Sequence, residues 1–318
     1  MPTKTKLKLL IGIIITAIIV YYSMGALKGL HVNELFHAHI NWGLALVSVV
    51  IFAYANYIRG LAYTRGIDRD MDRMTALQIV GIGHAANMVL PFHVGEGLRA
   101  AFFPRGYSAI KITNLLIIPA FADFAAIMIL SISAVPFAGF KDQNLLKALW
   151  ILTFLCIAAF ILFVILIFFL PRLRSYLSEY LNLDTVKMMY WVLLSWIILL
   201  VSTWIGLVAF GFPWVASIRL SLAVFAATNI INFIPATPGA IGLFEYGAIL
   251  GLGGLGIDPT TALSASLLLH LIQYAALLPL GLFLYMKSLH GQYGEALSNL
   301  WHTNRQKDTK SMKPKRTK

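Results

Sequence analysis

Charged side chains set in apolar sequence are where this chain could do chemistry. Glu96, Asp123, Glu245 and His270 each lie among hydrophobic residues, with His84 and His93 close to the first of them. An ionisable group at bilayer depth costs about 2.5–3.5 kcal/mol on insertion scales, so each marks a candidate site. Two of them sit beside interruptions. Asn87 to Arg99 reads NMVLPFHVGEGLR and Asn232 to Glu245 reads NFIPATPGAIGLFE, so prolines end one apolar run and glycines open the next. Lipid satisfies no backbone N–H or C=O, so non-helical backbone at that depth must be buried in protein or line a wet cavity. A helix restarting there offers free amides and the positive end of its dipole, which suits a phosphate. Arg99 could grip the same phosphate in a bidentate manner, or act as an ordinary anchor snorkelling to the surface. Glu96 and Glu245 would then face a cationic headgroup or take up a coupling proton. Asp123 and His270 read equally well as groups that satisfy neighbours inside the bundle.

The elements that must position these residues follow from composition. Hydrophobic residues make up 59% of the 318-residue chain and charged residues 12%, which excludes a soluble globular domain and disorder alike. A membrane-crossing helix needs ~20 mostly apolar residues. Six stretches meet this, at roughly 7–27, 42–63, 112–139, 145–170, 188–212 and 260–286, while 74–103 and 215–256 carry the breaks. Lys4, Lys6 and Lys8 precede the first stretch as in a signal peptide, but no small-residue cleavage site follows, so a retained anchor is expected. The single cysteine, Cys156, allows no internal disulfide and no cysteine metal site. His31, Glu34, His37 and His39 form a metal-like cluster, but their spacing matches no standard zinc site and a wet surface turn accounts for them. No metal or cofactor is expected.

The net charge of +12 does not point to nucleic acid, because the basic residues sit at span ends and in the tail, with no soluble domain to form a groove. All 25 Lys and Arg except Lys28, Lys141, Lys147 and Arg219 fall on one side, which the positive-inside rule makes cytoplasmic, together with both termini. Arg59, the alternating Arg69, Asp70, Asp72 and Arg73, and Lys111 then read as a span end and solvated cytoplasmic turns. For the charges to balance, 74–103 must enter from inside and 215–256 from outside, each as a re-entrant hairpin. The expected fold is an all-α integral membrane protein with about six full transmembrane helices and two oppositely oriented, broken re-entrant helices. Residues 1–286 form the membrane domain, with inverted halves at about 42–139 and 188–286, and 287–318 a basic cytoplasmic tail. Inverted repeats whose broken helices meet near the midplane are a transporter architecture. GLGGLG at Gly251 to Gly256 fits a dinucleotide pattern only formally, since no strand precedes it, and close helix packing explains it better. With no nucleophile or metal constellation, an enzyme is not expected.

The paired motifs N-x-x-L-P-x-x-x-G-E-x-x-R at Asn87 to Arg99 and P-x-x-P-G-x-x-G-x-x-E at Pro235 to Glu245 resemble the transmembrane region of the lysylphosphatidylglycerol synthase, or flippase-like, family. Gly-Ile-Asp at 256–258 and Leu-Pro-Leu-Gly at 278–281 extend the resemblance over about 7–286. It implies a lipid translocase in a bacterial or archaeal cytoplasmic membrane. The soluble aminoacyl-transferring domain of full-length synthases has no counterpart in the tail, so translocation without synthesis is expected. The site implied comprises Asn87, Pro91, Gly95, Glu96, Arg99, Asn232, Pro235, Pro238, Gly239 and Glu245, with His93, Asp123 and His270 in support. The expected partner is a phospholipid or polyprenyl-phosphate lipid. The alternative is a non-enzymatic scaffold or accessory subunit of a lipid-modifying or glycosyl-transferring enzyme, and a second copy of the chain is a further candidate partner. The chain departs from the family in two places: Pro119 and Ala120 stand where an acidic-basic pair often precedes the aspartate matching Asp123, and His270 stands where an arginine is common. A changed internal charge set implies a different headgroup.

Overall fold

Helices begin in this chain where a short polar side chain catches amides that a helix start leaves free. Asn41 accepts from the Leu44 amide at 3.1 Å, Asp72 from Thr75 at 3.0 Å, Ser108 from Lys111 at 3.1 Å, Asn182 from Asp184 and Thr185 at 3.0 Å, and Asp258 from Thr261 at 3.0 Å. The Thr261 hydroxyl and amide hold the Asp258 carboxyl below the usual carboxylate range. That cap is therefore intact above the ordinary range and is lost only as pH falls through the lowered value.

A computed structural model describes residues 39–90, 93–104, 106–169, 182–231 and 238–311, with side chains in the last helix to Leu289. Pro91, Asn232, Pro235, Arg105, the first apolar stretch, most of the histidine cluster and the link at 170–181 lie outside the described residues. The described residues are almost entirely helical. We number α1 (Trp42–Ala62), extended by a π-helical turn at Tyr63–Ile67, α2 (Arg73–Val89), α3 (Val94–Leu98), which continues as a 3-10 turn at Arg99–Phe102, α4 (Ala109–Ala138), α5 (Gln143–Phe169), α6 (Leu183–Phe210), α7 (Trp214–Ile231), a 3-10 turn at Pro238–Ala240, α8 (Leu243–Gly253) and α9 (Pro259–Ser311). The helix α9 passes residue 286 without a break, so its backbone does not mark off the basic tail there.

Among the described residues, five helices are long and apolar enough to cross a membrane: α1 with its π turn, α4, α6, α7, and α9 as far as Leu289. Four coincide with expected spans, and the apolar α5 covers the expected span 145–170. The remaining one, α7, was expected as half of a re-entrant hairpin. Its 18 residues reach about 27 Å at 1.5 Å per residue, so length alone lets it cross.

Packing shows how the two broken regions run. Gly247 of α8 lies against Thr228 of α7 and Gly251 against Ala223, so rising numbers meet falling ones and the arms are antiparallel. A Cβ on Gly251 would come within 2.7 Å of the Ala223 carbonyl oxygen, which is why glycine is needed at this close approach. The first region doubles back likewise. Gly95 lies on Gly83 and Asn87, Arg99 lies on Gly83, and Phe103 joins Ala76, Ile79 and Val80 nearer the start of α2. Asp68 holds the open end of this hairpin, accepting from the Tyr107 hydroxyl at 2.5 Å and pairing with Lys111 at 3.0 Å. These partners bury it, beside the charged turn at Arg69 to Arg73.

The helices α1 and α6 pack antiparallel. Ser48 donates to the Ser202 carbonyl at 2.8 Å and Ser202 donates to the Ser48 carbonyl at 2.9 Å. The long arms of the broken regions pack on spans distant in sequence, α2 on α9 and α7 on α4.

Candidate functional site

The first break holds a buried charge cluster. Asn87 Nδ2 donates to Glu96 Oε1 at 2.9 Å, and Arg99 Nη1 pairs with Glu96 Oε2 at 2.7 Å. The Glu96 side chain keeps 44% of its surface, whereas that of Arg99 keeps 5%. Arg99 is therefore no snorkelling anchor; it lies flat on Gly83, where a Cβ would collide with its stem. Its Nε and Nη2 make no well-aligned hydrogen bond among the described residues, nor does Asn87 Oδ1, and the Tyr63 hydroxyl lies against the same guanidinium. Buried donors left unpaired cost about 1–3 kcal/mol each, more when charged, and such groups call for an explanation.

The second break is closed on itself. Glu245 Oε2 accepts from the Gly242 amide at 2.7 Å, capping α8 with its own third residue. Glu245 Oε1 contacts His270 Nδ1, and His270 Nε2 donates to the Gly239 carbonyl at 2.8 Å. Both ring nitrogens therefore face oxygen acceptors. His270 is fully buried and Glu245 7% exposed, so Glu245 lies in protein, away from lipid.

The breaks meet at their tips. The Tyr274 hydroxyl of α9 donates to the Met88 carbonyl at 3.0 Å, one residue from the end of α2, and presses against Gly239. A Cβ on Gly239 would collide with that hydroxyl and lie 2.7 Å from the Met88 oxygen. Backbone strain concentrates here. Among the described residues, His93 (φ 52°) and Ala240 (φ 58°) are the two non-glycine residues in the left-handed region, one at each break. Such strain costs about 1–2 kcal/mol per residue and persists where surrounding structure imposes it. Ala240→Gly is expected to stabilise the chain by about 1 kcal/mol, read as a higher unfolding midpoint in detergent.

The structure revises where an anion would sit. The start of α8 was expected to present free amides to a phosphate, yet Glu245 already occupies it, and α3 is a single short turn with Glu96 at its start. The unpaired donors belong to Arg99. Gly95 is buried against Gly83 and Asn87, Pro238 opens the 3-10 turn beside Gly239, and His93 has an exposed side chain while its carbonyl accepts from the Glu96 amide at 3.0 Å.

Asp123 lies in a second network that the sequence reading did not assemble. Its Oδ1 is 3.1 Å from Arg59 Nη2 and accepts from Trp196 Nε1 at 2.8 Å, and the Arg59 guanidinium sits 4.5 Å over the Trp196 ring. Arg59 also donates to Ser195 Oγ at 3.3 Å and contacts His84 Nε2 at 3.4 Å, and His84 Nδ1 donates to Asn56 Oδ1 at 2.5 Å. Arg59, expected at a cytoplasmic span end, is buried. The signal that could have found it is Asp123 itself, since a carboxylate in an apolar helix requires a cation.

Fold and site together define an all-α multi-pass membrane protein in which two interrupted segments approach at Met88 and Gly239, with Glu96 and Arg99 at the first and Glu245 and His270 at the second. The chain matches the family model described as the lysylphosphatidylglycerol synthase TM region over residues 9–281 and belongs to that family. No curated protein and no solved structure matches it.

Proposed function

We propose that this protein moves a phosphate-bearing lipid between leaflets, the headgroup passing the two breaks while the hydrocarbon chains stay in the bilayer. Family membership supports a lipid-related role in the membrane. The observation that carries the finer reading is the junction at Met88 and Gly239, with the buried Arg99 beside it keeping two donors unpaired among the described residues. A phosphate would satisfy both donors in one fork. Glu96, half exposed and holding Arg99 and Asn87, is the group a headgroup would displace or a proton would neutralise. The packing of both arms on distant spans fits alternating access, in which one half rocks against the other around a fixed site. In this reading the protein is no enzyme, sits in a bacterial or archaeal cytoplasmic membrane with both termini inside, and works on a phospholipid or polyprenyl-phosphate lipid.

Reconstitution with fluorescent anionic lipids tests it. Glu96→Gln and Arg99→Met are expected to slow leaflet exchange at least about tenfold, the lower end of what losing one hydrogen bond to a charged group costs. If Glu96→Gln and Glu245→Gln both exchange lipid at the parent rate, the site assignment is wrong. A purified chain that exchanges no lipid but co-purifies with a lipid-modifying enzyme would favour an accessory subunit.

A further inference from the structure

At the end of the bundle where the first hairpin opens, the structure contains a cavity of about 530 Å³ that the breaks do not use. That is within the ~300–1,000 Å³ typical of ligand pockets. Arg65, Arg69, Arg73 and Lys187 line it, over a floor that includes Met71 and Trp191. The walls are set by an irregularity: the π-helical turn Tyr63–Ile67 swings Arg65 out, and Gly66 lets that turn press on the start of α6. A Cβ on Gly66 would lie 3.0 Å from the Asp184 carbonyl oxygen and collide with Met188. Turns of this kind recur at functional sites.

The charge is poorly balanced. Asp184 pairs with both Arg69 and Lys187, leaving Arg65 and Arg73 without a carboxylate partner among the described residues. Of the other nearby acids, Asp72 caps Thr75 and Asp68 is turned toward Tyr107 and Lys111, which leaves Asp70, exposed in the adjoining turn. Among the described residues the four cations lining the cavity thus have one carboxylate partner, Asp184, while Asp70 and Asp72 stand in the adjoining turn. Trp191 carries Tyr190 edge-on at 5.5 Å, and Tyr190 and Val186 are exposed on the same helix. Cations above an aromatic floor beside an apolar face suit an amphiphile with an anionic head.

We propose that this cavity binds a phosphate-bearing lipid headgroup with more than one negative charge, a phosphomonoester or a diphosphate. The binding is an equilibrium property and stands whether or not the chain moves lipid. The test uses the full chain in phosphatidylcholine nanodiscs doped with phosphatidic acid, with bound lipid counted by native mass spectrometry. A surface cation contributes about fivefold to such binding, so R65Q/R73Q is expected to weaken retention of phosphatidic acid roughly thirtyfold. K141Q/K147Q, which removes two exposed lysines elsewhere, is expected to leave it unchanged. Because Arg65 and Arg73 are exposed, the double variant keeps its unfolding midpoint. Parent-like retention by R65Q/R73Q, or equal losses in both double variants, overturns the proposal. Soluble pyrophosphate provides the second arm: displacement of phosphatidic acid supports phosphate recognition in this cavity. Pyrophosphate binding without any lipid binding overturns the lipid assignment.

Discussion

Asp123→Ala is expected to destabilise the protein by about 3–5 kcal/mol, the usual consequence of removing one partner from a buried ion pair. The cost comes from what is left behind. Arg59 is buried, and its remaining contacts are a hydroxyl, an imidazole and the face of Trp196, none of which carries a negative charge. Trp196 would also lose the acceptor of its indole N–H. Replacing both charges together, as Arg59→Met with Asp123→Leu, is expected to recover most of the loss, because no uncompensated charge then remains. Unfolding by SDS titration in mixed micelles measures both. A single-variant loss within about 0.5 kcal/mol, as at an ordinary surface position, would mean that Arg59 finds water or another acid.

The second large effect is expected at Glu245 and His270. With Glu245→Gln the new amide can accept from Gly242 through its oxygen and donate from its nitrogen to Nδ1 of a neutral His270, whose Nε2 still donates to Gly239. The bonds survive but lose their charge, which is expected to cost about 1 kcal/mol. His270→Phe costs more, since it strips both Gly239 and Glu245 of their donor. The double-mutant cycle over the two positions should return a coupling of about 1–3 kcal/mol, as for contacting residues in one network. Two independent, additive losses would show that the two side chains do not support each other. Because Glu245 also caps α8 through Gly242, Glu245→Ala is expected to be the most damaging single change at this break.

Much of this architecture could be read in one dimension because the bilayer imposes simple rules. Span length, lipid's refusal of free backbone groups and the distribution of Lys and Arg lead from composition to helices, breaks and family motifs. They also single out Glu96, Asp123, Glu245 and His270, since a charge in apolar sequence is conspicuous wherever it pairs. Arg59 and Arg99 were harder. Each stands at the end of an apolar run, where a charge in water and a charge folded back into the bundle look alike in sequence. The difference lies in close packing: Gly83 lets Arg99 lie flat across α2, and Ser195 and Trp196 of α6 receive Arg59.

What the sequence determined by itself is the membrane setting, the helical class, the two interruptions and the ionisable residues they hold, all consequences of local composition in a solvent that tolerates few alternatives. What the tertiary structure alone decided is which charges face each other. Asp123 and Arg59 are far apart in sequence, as are Met88 and Tyr274, and pairing across such separations depends on helix crossings that no local pattern encodes. The same crossings set His270 of α9 against Glu245 of α8.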